Sequence, residues 1–319
     1  MLRLICTAIV LVIANAAHLA SAAYPERPVR FIVAAVAGSA PDTNSRAITT
    51  ELTQQLGQQF IVDNRGGAGG SIGTQLLARA PADGYTIGYG NIASLAIARS
   101  AIPKLPYDPE RDFQPVALTQ HSVNMLAGAA SFPVRTVPEL IDYAKKNPGK
   151  VVYAGASVSS TQFLSGQLFN QMAGTQIKAV SFLGAQAIPA MAMGQVHFTF
   201  NGISALEQYV RTGRIRGIAV TGTRRSPAFP ELPTVAESLP GYEVVPWGGV
   251  IAPAGVPKDV VMRLNAAVNK ALASAVLLEK YKVMGIEPAG GTSEQFAAHI
   301  RKEIAKWADV VRKAGIKVE

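Results

Sequence analysis

The same pattern occurs twice in this chain, and it narrows the possible folds sharply. Near residues 31–56, and again near 151–173, a short apolar run empties into a loop of small residues and then into an amphipathic helix. In the first copy Phe31–Ala37 reads as a buried strand and Gly38-Ser39-Ala40-Pro41 as a tight turn. Ile48, Leu52 and Leu56 form one stripe of the helix, which Gly57 stops, and Asp42, Asn44 and Ser45 are its candidate caps. In the second copy Val151–Ala154 is the strand and Gly155-Ala156-Ser157-Val158-Ser159-Ser160 the loop. The helix Thr161–Ala173 then turns Leu164, Leu168 and Met172 inward and ends at Gly174. A parallel strand, a small-residue loop and a helix N-terminus make an anion site at the carboxyl edge of a sheet, suited to a carboxylate or a phosphate. On these residues alone an ordinary βα turn stays open as the alternative. Two copies predict two α/β lobes facing one another across a cleft, with a helix N-terminus entering from each side.

The rest of the chain fits that plan. Strands are expected at Gln59–Val62, Tyr85–Tyr89, Val116–Thr119, Lys178–Phe182, Val196–Phe200 and Ile215–Val220, with a long extended stretch at Tyr242–Ala252 broken by Trp247-Gly248-Gly249. Helices are expected at Ser71–Ala80, Val137–Lys146, Gly184–Met193, Leu206–Thr212, Pro257–Leu272, Val276–Met284 and Ser293–Ala308. Crossovers near 120 and 222 divide the chain into a first lobe (23–121 and 223–319) and a second (122–222). Arg3, the apolar run Leu4–Ala17 and the exit Ala20-Ser21-Ala22 read as a signal peptide over 1–22, removed before Ala23 on export. The single cysteine, Cys6, leaves with it, so the mature chain is expected to hold no thiol, as a bacterial periplasm allows.

Several functions are disfavoured. The formal charge of +9 is carried by scattered Lys and Arg with few aromatics between them, so nucleic acid is not an expected partner. Asp63-Asn64-Arg65-Gly66-Gly67-Ala68-Gly69-Gly70 lacks the Lys-Ser/Thr ending of a nucleotide loop, and close backbone approach explains its glycines more simply. The histidines have no metal spacing; His197 reads as a core residue and His299 as solvent-facing. No Gly-x-Ser-x-Gly elbow is present, and no cofactor and no catalysis are expected. Trp247 divides evenly between cleft wall and core packing.

Longer motifs carry a resemblance. Tyr24-Pro25-x-x-Pro28, Val62–Gly70, Ala82-Asp83-Gly84-Tyr85-Thr86, Leu105–Pro109, Arg225-Ser226-Pro227, Leu232–Glu237, Ala252–Gly255 and Ile304-Ala305-Lys306-Trp307 stand in the order found in the Bug family. These are the TctC-like substrate-binding proteins of tripartite tricarboxylate transporters, abundant in Bordetella. The resemblance covers essentially the whole mature chain. It implies a periplasmic, type II, two-lobed binding protein with a hinge of crossover strands. Such a protein captures a small organic carboxylate (a dicarboxylate, acidic amino acid, monocarboxylate or aromatic acid) and passes it to inner-membrane transporter subunits. A monomer is expected. A sensory role beside a membrane receptor, and more remotely a periplasmic hydrolase, remain as alternatives.

Carried onto this sequence, the first-lobe grip matches Gly38, Ser39, Asp42 and Thr43 in one loop and Asn91, Ala93 and Ser94 in another. In the second lobe Ser157, Ser159, Ser160, Thr161 and Asn201 would choose the distal group, with Phe182, Gly184 and Trp247 along the wall. Ser39 stands where the family commonly has glycine. Ser181-Phe182-Leu183-Gly184 replaces the common Pro-Tyr-Lys-Gly, losing a hydroxyl and an ammonium. A less polar distal pocket follows as an expectation.

Overall fold

The computed structural model describes residues 24–182 and 186–315; the expected signal peptide and Gly184 lie outside them. The chain begins β1 (Val29–Val33), α1 (Ala40–Leu56), β2 (Phe60–Asn64), α2 (Ser71–Ala78) and β3 (Thr86–Asn91). A π-helical stretch, Ala93–Ile97, then runs into α3 (Ala98–Ala101) and on to β4 (Phe113–Ser122). Only Val123 separates β4 from β5 (Asn124–Ala129). The second unit continues with α4 (Val137–Lys146), β6 (Val152–Gly155), α5 (Thr161–Ala173), β7 (Lys178–Ser181), α6 (Ala187–Ala192), β8 (Phe198–Gly202), α7 (Ile203–Arg211) and β9 (Ile215–Val220). The tail holds β10 (Trp247–Pro253), α8 (Lys258–Leu272), α9 (Ala275–Val283), β11 (Ile286–Pro288) and α10 (Ser293–Lys313).

These elements make two mixed sheets flanked by helices, the two-lobed α/β architecture that the repeated pattern predicts. The first sheet has the order β11-β4-β10-β3-β1-β2 and the second β7-β6-β8-β5-β9. In each, the strands of the repeated pattern run parallel to their neighbours: β1 to β2 and β3, and β6 to β7 and β8. Period-two alternation packs both faces of β1. Val29, Phe31 and Val33 join one core under α1 and α8, while Ile32 joins the other. That other core is continuous from the second lobe through Trp247 to Phe296 and Trp307 on α10, so the C-terminal helix braces the hinge.

Two of the boundaries that differ from expectation bear on the cleft. The first strand ends at Val33 rather than Ala37, because its last sheet bond, from the Arg65 N–H to the Val33 carbonyl (2.8 Å), falls there. The return to the first lobe comes near Pro246 rather than 222. Residues 223–244 stay on the second lobe, where Phe229 lies under the Arg211 guanidinium (4.9 Å) and the Tyr242 hydroxyl donates to the Ser165 carbonyl (3.0 Å). The Ser122 N–H donates to the Pro246 carbonyl (2.7 Å) and ties the two crossings together. Among the described residues no single helix is long and apolar enough to cross a membrane.

Candidate functional site

Four helices start where their strands end, and all four starts meet in one cleft of about 530 Å³ between the lobes. Ala40, Pro41 and Thr43 bring the first turn of α1 after β1, and Ile92 and Ala93 the start of the π-helical stretch after β3. From the second lobe, Ser160, Thr161 and Gln162 open α5 after β6, and Ile203, Ser204 and Ala205 open α7 after β8. Each start leaves backbone N–H groups without an intrahelical acceptor and carries the positive end of a helix dipole. The floor is made by the crossing strands, with Gln120, Ser122, Asn124, Pro246 and Trp247. Among the described residues no Lys, Arg, His, Asp or Glu lines the cleft.

The local chemistry of each start is distinct. Ser39 is the N-cap of α1, but its hydroxyl turns back to donate to the Val36 carbonyl (2.6 Å) and makes no cap bond. Asp42 is not the cap; it sits in the first turn, where its carboxylate accepts from the Gly38 N–H (2.8 Å) and pairs with Arg46 (3.0 Å). Burial pushes the Asp42 carboxyl up, but the hydrogen bonds from Arg46, the Gly38 N–H and Asn64 and the Arg46 charge outweigh it and hold the group below the usual carboxylate range. Asn91 Oδ1 accepts from the Ser94 N–H (3.1 Å), and the Ser94 hydroxyl closes back on Asn91 (3.3 Å to its carbonyl). In the second lobe the Ser160 hydroxyl accepts from the Phe163 N–H (3.2 Å) as the cap of α5. Asn201 Oδ1 accepts from the Gly202 N–H (2.9 Å) and Gln162 Nε2 (3.4 Å).

Of the residues singled out from sequence, Gly38, Thr43, Asn91, Ala93, Ser160, Thr161, Asn201 and Trp247 line this cleft together. Ser39, Asp42 and Ser94 stand behind it and shape the two first-lobe loops. Ser157 and Ser159 lie elsewhere: their hydroxyls pair at 3.3 Å, and an added Cβ on Gly69 of the first lobe would meet Ser159 Oγ at 3.5 Å, so this pair sits at the lip where the lobes approach. Phe182 packs against the main core and does not line the cleft.

Trp247 unites both expectations for it. It lines the cleft on one side, and on the other its indole N–H donates to Glu303 Oε2 (3.0 Å) while its ring meets His299 edge-on at 4.8 Å between centroids. His299 therefore faces the hinge, not solvent, because α10 turns it toward the crossing strands. His197 is structural: its Nδ1 accepts from the Val152 N–H (3.2 Å). Sequence reasoning did not select Gln120 as a site residue and took Asn44 only for a cap. Both line the cleft. The first sits in an extended run and the second in a helix start, where nothing in composition separates a lining amide from a solvated one.

Residues 45–316 match the family described as the tripartite tricarboxylate transporter family receptor. Protein BugT of Bordetella pertussis is 33% identical over 307 residues, covering 95% of this chain and 94% of BugT. Rpa4515 of R. palustris, solved with adipate, is 37% identical with a TM-score of 0.84 and covers 92% of this chain and 99% of its own. MatC of Rhodopseudomonas palustris, solved with bound malate, is 31% identical with a TM-score of 0.80 and covers 90% and 100%. BugD, solved as a periplasmic binding protein, is 32% identical with a TM-score of 0.80 and covers 93% and 100%, and these receptors and binding proteins are not enzymes. The chain belongs to the tripartite tricarboxylate transporter receptor family.

Proposed function

We propose that this protein is an exported periplasmic receptor that closes on a small organic dicarboxylate and delivers it to a tripartite tricarboxylate-type membrane transporter. One observation carries the reading: two helix starts from each lobe converge on a cleft that, among the described residues, no charged side chain lines. A ligand with a carboxylate at each end matches that symmetry, one end on each lobe. The dicarboxylates in Rpa4515 and MatC support it. Asn91 and Ala93 would hold the first carboxylate between the walls of Gly38 and Thr43, whose own donors are taken by Asp42 and Ser39, and Ser160, Thr161 and Asn201 would hold the second. Trp247 would form the floor. Closure is then a shift in population between open and closed lobes, driven by the second set of contacts.

The test is the thermal shift of the mature chain, from Ala23 onward, unfolded and refolded to strip carried ligand, against dicarboxylates of increasing length. A ligand at about 100 times its dissociation constant adds about 2.7 kcal/mol. At about 2–4 °C per kcal/mol that is a rise of roughly 5–11 °C. The variant Ser160→Asp keeps a good N-cap on α5 but sets a negative charge at the second lobe's helix start. It should melt like the parent and lose the shift. An undiminished shift in this variant would remove the second carboxylate from α5. Abolished uptake of the same dicarboxylate in cells lacking the gene would separate delivery from sensing.

A further inference from the structure

Buried polar side chains without partners are costly, and two of the described ones face the cleft. Gln120 is 4% exposed and Asn44 5%, and both line the space between the lobes. Gln120 Oε1 and Asn44 Oδ1 are closed off from solvent without a hydrogen-bond partner. An unpaired buried amide oxygen costs stability in the empty protein. Neither oxygen makes a bond that holds the fold together. Their neighbours in sequence do: His121 turns to α10 and Thr119 donates to the Gly248 carbonyl (2.9 Å), while Gln120 turns to the cleft floor.

We propose that Gln120, seconded by Asn44, reads a hydroxyl on the carbon chain of the ligand between its two carboxylates. This rests on the carboxylate reading of the cleft and goes one step further, to a substituent. The helix starts at the two ends offer only donors, which suit carboxylate oxygens. A half-turn of the Gln120 amide brings its oxygen from its closed-off place to the cleft, where it is an acceptor that a carboxylate cannot satisfy. A hydroxyl can donate to an amide oxygen and accept from an amide N–H, so it suits a carboxamide in either orientation. A bare methylene chain leaves the Gln120 amide unpaired in the closed state, and a site built around a substrate hydroxyl rejects the analogue that lacks one far more strongly than an apolar pocket rejects an extra methylene.

The experiment uses matched pairs: succinate with malate, glutarate with 2-hydroxyglutarate, and adipate with 3-hydroxyadipate, measured by titration calorimetry on refolded, ligand-free protein. For the pair whose length fits, the parent should bind the hydroxylated member at least tenfold tighter. Gln120→Met, close in volume but without polar atoms, should lose that preference while holding the plain diacid as well as the parent or better. Its ligand-free melting temperature should equal or exceed the parent's, whereas a merely structural Gln120 would lower it. Gln120→Leu gives the same comparison should the methionine variant fail to fold. Equal binding of both members by the parent, or an equal loss for both in the variant, overturns the inference and leaves the carboxylate reading standing. No binding by any diacid overturns both.

Discussion

Both tryptophans of the chain donate to one oxygen. Trp247 Nε1 and Trp307 Nε1 each lie 3.0 Å from Glu303 Oε2, with Glu303 itself only 6% exposed. Trp247 is the cleft floor and Trp307 is fully buried in the core behind it, so this carboxylate holds the floor from the rear. Replacing Glu303→Leu leaves two buried indole donors without an acceptor. At about 1–3 kcal/mol for each orphaned group the loss is about 2–6 kcal/mol, or roughly 4–24 °C in melting temperature. Glu303→Gln keeps a carbonyl for both indoles and loses the charge assistance together with the partly exposed ion pair to Lys306 (3.7 Å). That difference is about 1 kcal/mol per bond, and relief of a buried charge offsets part of it, so the glutamine variant should fall by no more than about 2 kcal/mol. Because the chain has no other tryptophan, its tryptophan emission reports the surroundings of these two indoles, and it should shift to the red in the leucine variant. Dicarboxylate affinity should weaken in the same order, as Trp247 loses its anchor. A leucine variant that melts like the parent with unshifted emission would refute the reasoning.

The hinge also carries a pH dependence. His121 and His299 meet edge-on, 5.8 Å between centroids, and burial pulls both below the ordinary histidine value. Glu287, Glu303 and Glu243 oppose this at His121; at His299 Glu303 opposes it, while His121, Lys302 and Lys306 reinforce it. The unfolded chain therefore binds more protons than the folded one below about pH 6.5, and the contribution, complete above that value, is lost as pH falls toward the depressed folded values. Melting temperature should drop on acidification through this range, and less steeply in His299→Phe; an unchanged slope would refute the assignment. In the second lobe, a Cβ on Gly166 would lie 2.2 Å from Cζ of the fully buried Tyr153, whose hydroxyl is fixed on the Phe163 carbonyl (2.7 Å). Helix propensity predicts a gain of about 1 kcal/mol for Gly166→Ala and overpacking a loss of about 1–3 kcal/mol. A net fall in melting temperature is expected, and a rise would refute the clash.

The fold was legible in the sequence wherever one period governed a segment. The stripe Leu164, Leu168, Met172 lies on α5, and Ile48, Leu52, Leu56 lies on α1, because burial of one helix face needs only local spacing. The three-residue strand β11 escaped notice, being held by pairing with β4 rather than by its own pattern. The stay of residues 223–244 on the second lobe was hidden for a similar reason. Proline-rich loops carry no period, and what places them is the distant pairing of Tyr242 with Ser165 and of Val244 with Thr221. At the candidate site the loops could be found because small residues after a strand mark a helix start. Individual side chains could not. Ser39 and Ser160 are both loop serines ahead of a helix, yet one hydroxyl bonds backward to Val36 and the other caps α5 and lines the cleft.

On the dicarboxylate reading proposed above, the absence of charge among the described cleft-lining residues bears on why two lobes are needed. A helix start contributes at most about 2 kcal/mol to an anion in a partly buried position. Two of them on one lobe give roughly 4 kcal/mol, which corresponds to a dissociation constant of about 1 mM. Adding the pair on the opposite lobe brings the bound roughly to 8 kcal/mol, near 1 μM. The half-site alone is thus a weak site, and closure turns it into a useful one. A lysine or arginine on either wall would bind its carboxylate strongly in the open state as well, and would leave less of the binding energy to drive the lobes together. A ligand with one carboxylate engages only half of the site and gains little from closure. Dipoles divided evenly between the lobes make closure itself the test of whether a ligand carries charge at both ends.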